Sequence, residues 1–134
     1  MIVVDSSVWI DFLRQAGTPQ ESELVELAGS DHDVALTGSI LTEVLRGCDS
    51  DSEAEQIGQH LLNFTVLEPE SELEYLRAAQ VFREARSRGV TVHGLGDLLV
   101  ASACLSKDAW LLHNDRDFDN LAAVSDLKIW KPTA

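Results

Sequence analysis

Five acids stand where this sequence could do chemistry: Asp5, Glu43, Asp97, Asp115 and Asp117. Asp5 directly follows the apolar run Ile2-Val3-Val4, and Asp115 and Asp117 follow Trp110-Leu111-Leu112. Glu43 lies in Leu41-Thr42-Glu43-Val44-Leu45-Arg46, while Asp97 follows His93-Gly94-Leu95-Gly96 and leads into Leu98-Leu99-Val100-Ala101. In open α/β sheets, sites form beyond the carboxyl ends of the strands, so acids placed there converge. Carboxylates brought together raise one another's pKa and cost stability. A divalent cation resolves that conflict. Ligation by carboxylates without Cys or paired His selects a hard ion, Mg²⁺ or Mn²⁺. Such ions activate water and neutralise the oxygens of an in-line phosphoryl displacement, which makes phosphodiester hydrolysis the chemistry the pattern predicts.

Each acid alone also has an ordinary reading. Asp5 is a fitting N-cap for a helix after a strand. Glu43 can pair along a helix face with Arg46. Asp97 suits the positive end of a helix dipole, and Asp115 and Asp117 suit a turn. Their joint placement argues for a site. Asp97 in particular precedes Leu98-Leu99-Val100-Ala101-Ser102-Ala103-Cys104-Leu105, which is too apolar for a surface helix.

The elements that must position these acids follow from hydrophobic pattern and capping. Ile2–Val4 reads as a buried strand. Ser6 or Ser7 then caps a helix to Arg14, stopped by Gly17. Thr18-Pro19-Gln20-Glu21 is a capping box with Pro at the first helical position, predicting a helix to about Ser30. Val34–Leu36 is a second strand, followed by a helix over Ser39–Arg46 that Gly47 ends. The boxes Ser52-x-x-Glu55 and Ser71-x-x-Glu74 predict helices to Leu62 and Gly89, with a strand over Phe64–Leu67 between them. Asp97–Leu105 is a helix, Ala109–Leu112 a strand, Phe118–Val124 a short helix and Leu127–Trp130 a last strand. Strands separated by helices predict an α/β fold: a central, mostly parallel sheet covered by helices on both faces.

The 134 residues suit a single domain. There are 23 acidic and 10 basic residues, a net charge of −13. That balance argues against sequence-blind nucleic-acid binding through a basic surface. It favours a basic partner or carboxylates gathered for metal. No apolar run reaches membrane-span length, and Met1-Ile2-Val3-Val4-Asp5 lacks the basic start of a secretory signal. Two cysteines, Cys48 and Cys104, form no disulfide framework. Together these predict a cytoplasmic protein. The four histidines show no metal-ligand spacing, and Trp9, Trp110 and Trp130 read as packing or dimer contacts.

Four segments resemble the motifs of PIN-domain ribonucleases: Ile2 to Ile10 around Asp5, Leu41 to Gly47 around Glu43, Gly96 to Ala103 around Asp97, and Leu112 to Phe118 around Asp115 and Asp117. Size and motif order look like the VapC toxins of bacterial and archaeal toxin–antitoxin pairs. Ser6 and His113 stand where that family often has Thr. The resemblance implies a PIN-like three-layer fold over 1–134 and a Mg²⁺-dependent endoribonuclease in which Mn²⁺ substitutes. The substrate would be structured RNA, such as tRNA or an rRNA loop. It further implies a homodimer or larger assembly, held by a VapB-type antitoxin.

In that reading Asp5, Glu43, Asp97 and Asp115 are the catalytic, metal-binding acids and Asp117 is an auxiliary ligand. Ser7, Arg46 and Arg116 meet the substrate. Hydrolysis would leave 5′-phosphate and 3′-hydroxyl ends. Among other readings, a haloacid-dehalogenase-like phosphatase would need a second Asp at position 7, where Ser7 stands. A receiver domain would order its acids differently. A catalytically silent PIN-like RNA- or protein-binding module is the main alternative, and the complete acid set weighs against it.

Overall fold

The computed structural model describes residues 1–133. The elements run β1 (Ile2–Val4), α1 (Ser6–Arg14), α2 (Pro19–Ala28), β2 (Val34–Thr37), α3 (Gly38–Arg46) and α4 (Asp51–Leu61), then β3 (Thr65–Leu67), α5 (Leu73–Ser87), α6 (Leu95–Lys107), β4 (Trp110–Leu112), α7 (Arg116–Ala122) and β5 (Lys128–Ile129). The strands form one sheet in the order β3-β2-β1-β4-β5, and every neighbouring pair is parallel. Parallel neighbours need crossovers, and here helices supply each one. The central strands are uninterrupted apolar runs because both faces are covered: Ile2–Val4 is buried throughout, as is Val34–Thr37.

From β1 the chain winds to β2 and β3 on one side, then returns to build β4 and β5 on the other. The β1/β4 seam is therefore the switch point where a crevice opens beyond the strand ends. Ile2, Val3 and Val4 pair with Trp110, Leu111 and Leu112 along it. The Asp5 N–H donates to the Leu112 carbonyl at 2.9 Å, carrying the pairing up to the first acid.

Beneath the seam the core packs Val8, Trp9, Leu36, Ile40, Val100, Leu111 and Phe118. The buried Trp9 indole satisfies its Nε1–H on the Val4 carbonyl at 3.0 Å and leans on Phe64, ring centroids 5.1 Å apart. Trp130 packs edge-on against Trp110, which stays 39% exposed. Among the described residues no helix is long and apolar enough to cross a membrane.

The α6 helix begins at Leu95, after Gly94, rather than at Asp97, and four other helix starts differ from the sequence reading for a local reason. Asp5, rather than Ser6 or Ser7, caps α1, accepting the Ser7 N–H. Ser50 caps α4, and Glu53 accepts the Asp49 N–H, so the box lies two residues before Ser52 and Glu55. Ser71 Oγ accepts the Leu73 N–H, but Glu74 does not return the bond. Asp115 caps α7, which begins at Arg116 instead of Phe118. Apolar periodicity places the buried face of a helix; the cap, found by side-chain hydrogen bonding, sets where it starts.

Candidate metal centre

The site forms where the starts of α1, α6 and α7 and the ends of β1 and β4 meet one face of α3. Asp5 is buried, with one carboxylate oxygen spent locally: Oδ2 accepts from the Ser7 N–H at 3.1 Å and the Ser7 Oγ–H at 2.7 Å. The Ser7 hydroxyl also accepts the Asn114 N–H at 3.0 Å, which ties α1 to the end of β4. Glu43, on α3, gives Oε2 to the Ser6 hydroxyl at 2.8 Å. Asp115 gives Oδ1 to the Asp117 N–H at 3.0 Å. One oxygen each of Asp5, Glu43 and Asp115 accepts no hydrogen bond among the described residues. Neither oxygen of Asp97 or Asp117 does.

Asp97 sits in the first turn of α6, after the cap Gly94. Oxygens of Asp97, Asp115 and Asp117 lie within 4.8 Å of one another, a spacing that fits ligation of one ion. Asp5 and Glu43 stand outside that triad but act on it. Burial, then the charges of Asp5, Asp115, Glu43 and Asp117, push the Asp97 carboxyl up to about 7. Burial also raises Asp5, against the lowering effect of Ser7. No Lys or Arg forms an ion pair with any of the five acids among the described residues. The raised carboxyl reflects burial first, and then negative charge gathered without a counter-charge. The donor set is hard oxygen only, so the residues fit Mg²⁺ or Mn²⁺.

Close approach explains a glycine in the third motif. A Cβ on Gly96 would overlap Glu43 Oε1, so only glycine lets α3 bring Glu43 against the start of α6. Sequence reasoning missed Gly96, since nothing in the sequence says that α3 crosses there. It also missed Asp11, whose Oδ2 accepts from Asn114 Nδ2 at 2.8 Å and Thr18 Oγ1 at 3.2 Å, bracing the loop that carries Asp115.

The residues assigned to substrate are placed as follows. Ser7 spends its proton on Asp5 and one lone pair on Asn114. Arg46 and Arg116 are exposed, in the last turn of α3 and at the start of α7. Glu43 bonds Ser6 instead of pairing with Arg46. Farther away, Arg88 donates to the Val124 carbonyl at 3.3 Å and the Arg86 guanidinium stacks 5.2 Å from the Phe82 ring. A cavity of about 400 Å³ between α5, α6 and β5, lined by Arg77, Glu84, Asp108 and Lys128 among others, contains none of the five acids. Cys104 is buried, its thiol pushed up to about 12 by burial and the charge of Asp5, as suits an inert side chain.

Residues 2–124 match the PIN domain family, and the chain belongs to it. It is 27% identical over 129 residues to Ribonuclease VapC11 of Mycobacterium tuberculosis, covering 96% of each chain. Its fold is similar to that of VapBC-1 from nontypeable Haemophilus influenzae, at TM-score 0.75 and 21% identity over all of both chains. It is also similar to Mycobacterium tuberculosis VapC20, described as a sarcin-ricin loop cleaving toxin, at TM-score 0.64 and 19% identity over 96% of this chain and 99% of that one.

Proposed function

We propose that this PIN domain is a VapC-type toxin: a metal-dependent endoribonuclease that acts on structured RNA and is neutralised by a VapB-type antitoxin. One observation carries the reading. Asp97, Asp115 and Asp117 converge at ligand spacing, beside Asp5 and Glu43, with Asp97 raised by burial and then by the neighbouring acids. The similarity to Ribonuclease VapC11 over nearly the whole of both chains supports the choice of RNA as substrate. The VapBC-1 fold supports the choice of antitoxin as partner. The description of VapC20 supports an rRNA loop, alongside tRNA, as the class of target.

Asp5, Glu43, Asp97 and Asp115 would hold the metal, with Asp117 as an auxiliary ligand; Asp97, Asp115 and Asp117 already stand at one-ion spacing, and Asp5 and Glu43 would complete the set beside them. When bound, Mg²⁺ or Mn²⁺ lowers the pKa of water and neutralises charge developing on the phosphoryl group. The chain's own work is positioning. Ser7 and Ser6 each hold one oxygen of Asp5 and Glu43, which fixes the direction of the other. Ser7, its proton on Asp5, retains one lone pair that no donor among the described residues occupies and meets the substrate or metal as an acceptor. Arg46 and Arg116 flank the acids and engage RNA phosphates by charge-assisted hydrogen bonds. Cleavage leaves 5′-phosphate and 3′-hydroxyl ends.

The toxin works in the cytoplasm as a single domain over residues 1–134, as a homodimer or within a larger toxin–antitoxin assembly. Its net charge of −13 suits a basic antitoxin and speeds their encounter. The test uses protein freed of any co-purified partner, incubated with total RNA and Mg²⁺ or Mn²⁺, followed by sequencing of new 5′ ends. Discrete 5′-phosphate ends that vanish with EDTA and with Asp97→Asn support the proposal. Absence of cuts by a folded, metal-binding protein, or cuts that survive both controls, overturns it.

A further inference from the structure

His113 lies two residues before Asp115 and has no part in the site described so far. Its ring is buried, 6% exposed, and packs against the fully buried Phe118 with ring centroids 5.3 Å apart. Packing alone would ask only for an apolar ring there. Instead both ring nitrogens are engaged. Nδ1 accepts the Asp115 backbone N–H at 3.0 Å, and Nε2 stands 3.1 Å from Asp119 Oδ1. An accepting Nδ1 carries no proton, so the neutral ring holds its hydrogen on Nε2 and donates it to Asp119. Asp119 is one turn beyond Asp115 on α7, so the imidazole bridges the residue before the helix to the helix itself.

We propose that His113, oriented by Asp119, is a positioning residue for Asp115 in the metal centre, an inference that rests on the function proposed above. Asp115 is gripped from both ends. Its N–H is fixed by His113, and its Oδ1 accepts the Asp117 N–H at 3.0 Å. Only Oδ2 is left without a protein donor, and its direction is set by these two bonds. The two halves of the bridge are unequal. The Asp119 side chain is 57% exposed, so water replaces it at small cost. The Nδ1 bond joins the buried ring to the Asp115 backbone, and its loss leaves that N–H without its protein partner. Partners that orient metal ligands typically cost about 10- to 100-fold in metal affinity or activity when removed.

Two substitutions separate the nitrogens. His113→Asn places an amide oxygen near the position of Nδ1 and keeps an acceptor for Asp115. His113→Gln reaches the position of Nε2 and leaves the Asp115 N–H unmet. Mn²⁺ binding by calorimetry is the readout, with metal-free melting temperature beside it. The proposal expects His113→Gln to weaken Mn²⁺ about tenfold or more. It expects His113→Asn to stay within about threefold of wild type. Asp119→Ala should fall between them, with recovery in Asp119→Asn. Long-range ¹H–¹⁵N spectra of the wild type should show the Nε2–H tautomer.

A purely structural role would lower the melting temperature of both His113 variants while leaving their Mn²⁺ affinities equal, and that result overturns the proposal. So does an Nδ1–H tautomer. Wild-type protein that binds Mn²⁺ with this variant pattern yet cuts no RNA would overturn the ribonuclease reading and support the positioning role. Wild-type protein that binds no Mn²⁺ overturns both.

Discussion

Glu23 and Asp97 are both carboxylates folded into this protein, and their surroundings treat them in opposite ways. Glu23, on α2, is buried and accepts three hydrogen bonds: from Trp130 Nε1 at 3.0 Å, from the Thr133 N–H at 3.0 Å and from the Thr133 hydroxyl at 3.1 Å. Those donors hold it below its ordinary pKa, the Thr133 backbone bond most of all. Asp97 has no donor among the described residues, is surrounded by four acids and is pushed up to about 7. The difference separates structure from function. A carboxylate whose oxygens are met by donors clamps the chain, here fastening the C-terminal segment to α2. A carboxylate kept charged-side-in without donors is unstable unless something positive arrives.

The sharpest way to break this comparison is Asp97→Asn. It should cut RNA cleavage by about a hundredfold or more, because several kcal/mol of charge stabilisation depends on the metal the acids hold. It should also raise the melting temperature of the metal-free protein, since it removes a charge from a repelling cluster. A fall in metal-free stability would show that Asp97 is structural, as Glu23 is. Next in size, Gly96→Ala should push Glu43 aside and lower cleavage about tenfold or more, with the circular dichroism spectrum unchanged. Unaltered kinetics would remove Glu43 from the site.

The two carboxylates also give pH dependences of opposite sign. Folded protein keeps a proton on Asp97 up to about 7, whereas the unfolded chain releases it near 3.8. Metal-free stability should therefore decline as pH rises from about 4 towards 7, with a shallow slope because Asp97 is only half-buried. Glu23 is lowered from 4.5, so its contribution is present above that value and is lost as pH falls below it. Thermal melts in EDTA should peak in the mildly acidic range, and added Mn²⁺ should remove the decline above it. A decline that Mn²⁺ leaves untouched would place its cause outside the acid cluster.

Two smaller effects complete the contrast. Ser6→Ala frees Glu43 from its one donor and should lower cleavage by about three- to tenfold, measured as kcat/KM. Glu23→Gln should lower stability by about 1 kcal/mol and leave both cleavage and Mn²⁺ affinity unchanged. Loss of metal affinity in that variant would mean that the clamp and the site are coupled.

Much of this was legible in the sequence. Five apolar runs separated by helical stretches correspond to the five parallel strands; four of the acids sit at strand ends or helix starts and Glu43 lies within α3. Thr18 caps α2 as its motif predicted. The errors are local ones. Neighbouring Asp and Ser residues compete for the cap at the starts of α1, α4 and α7, and the sequence offers several candidates within two residues. Glu23 shows the opposite failure: as an acid on a mixed helix it gave no signal, because its donors lie more than a hundred residues away.

The sequence by itself determined which residue types could form a charged site and roughly where along the chain each would fall. Strand periodicity, caps and glycines are written in short windows, within reach of residues a few positions apart. Local caps hold one oxygen each of Asp5 and Asp115, but only the tertiary structure decided how Glu43 is held and how the acids are brought together. Ser6 meets Glu43, Ser7 meets Asn114 and Gly96 yields to Glu43 through the sheet order and the crossing of α3 with α6. Those contacts join segments far apart in the chain, and a hydrogen bond depends on distances of a few tenths of an ångström. Such distances are fixed by the packing of the whole core, not by any local run of residues.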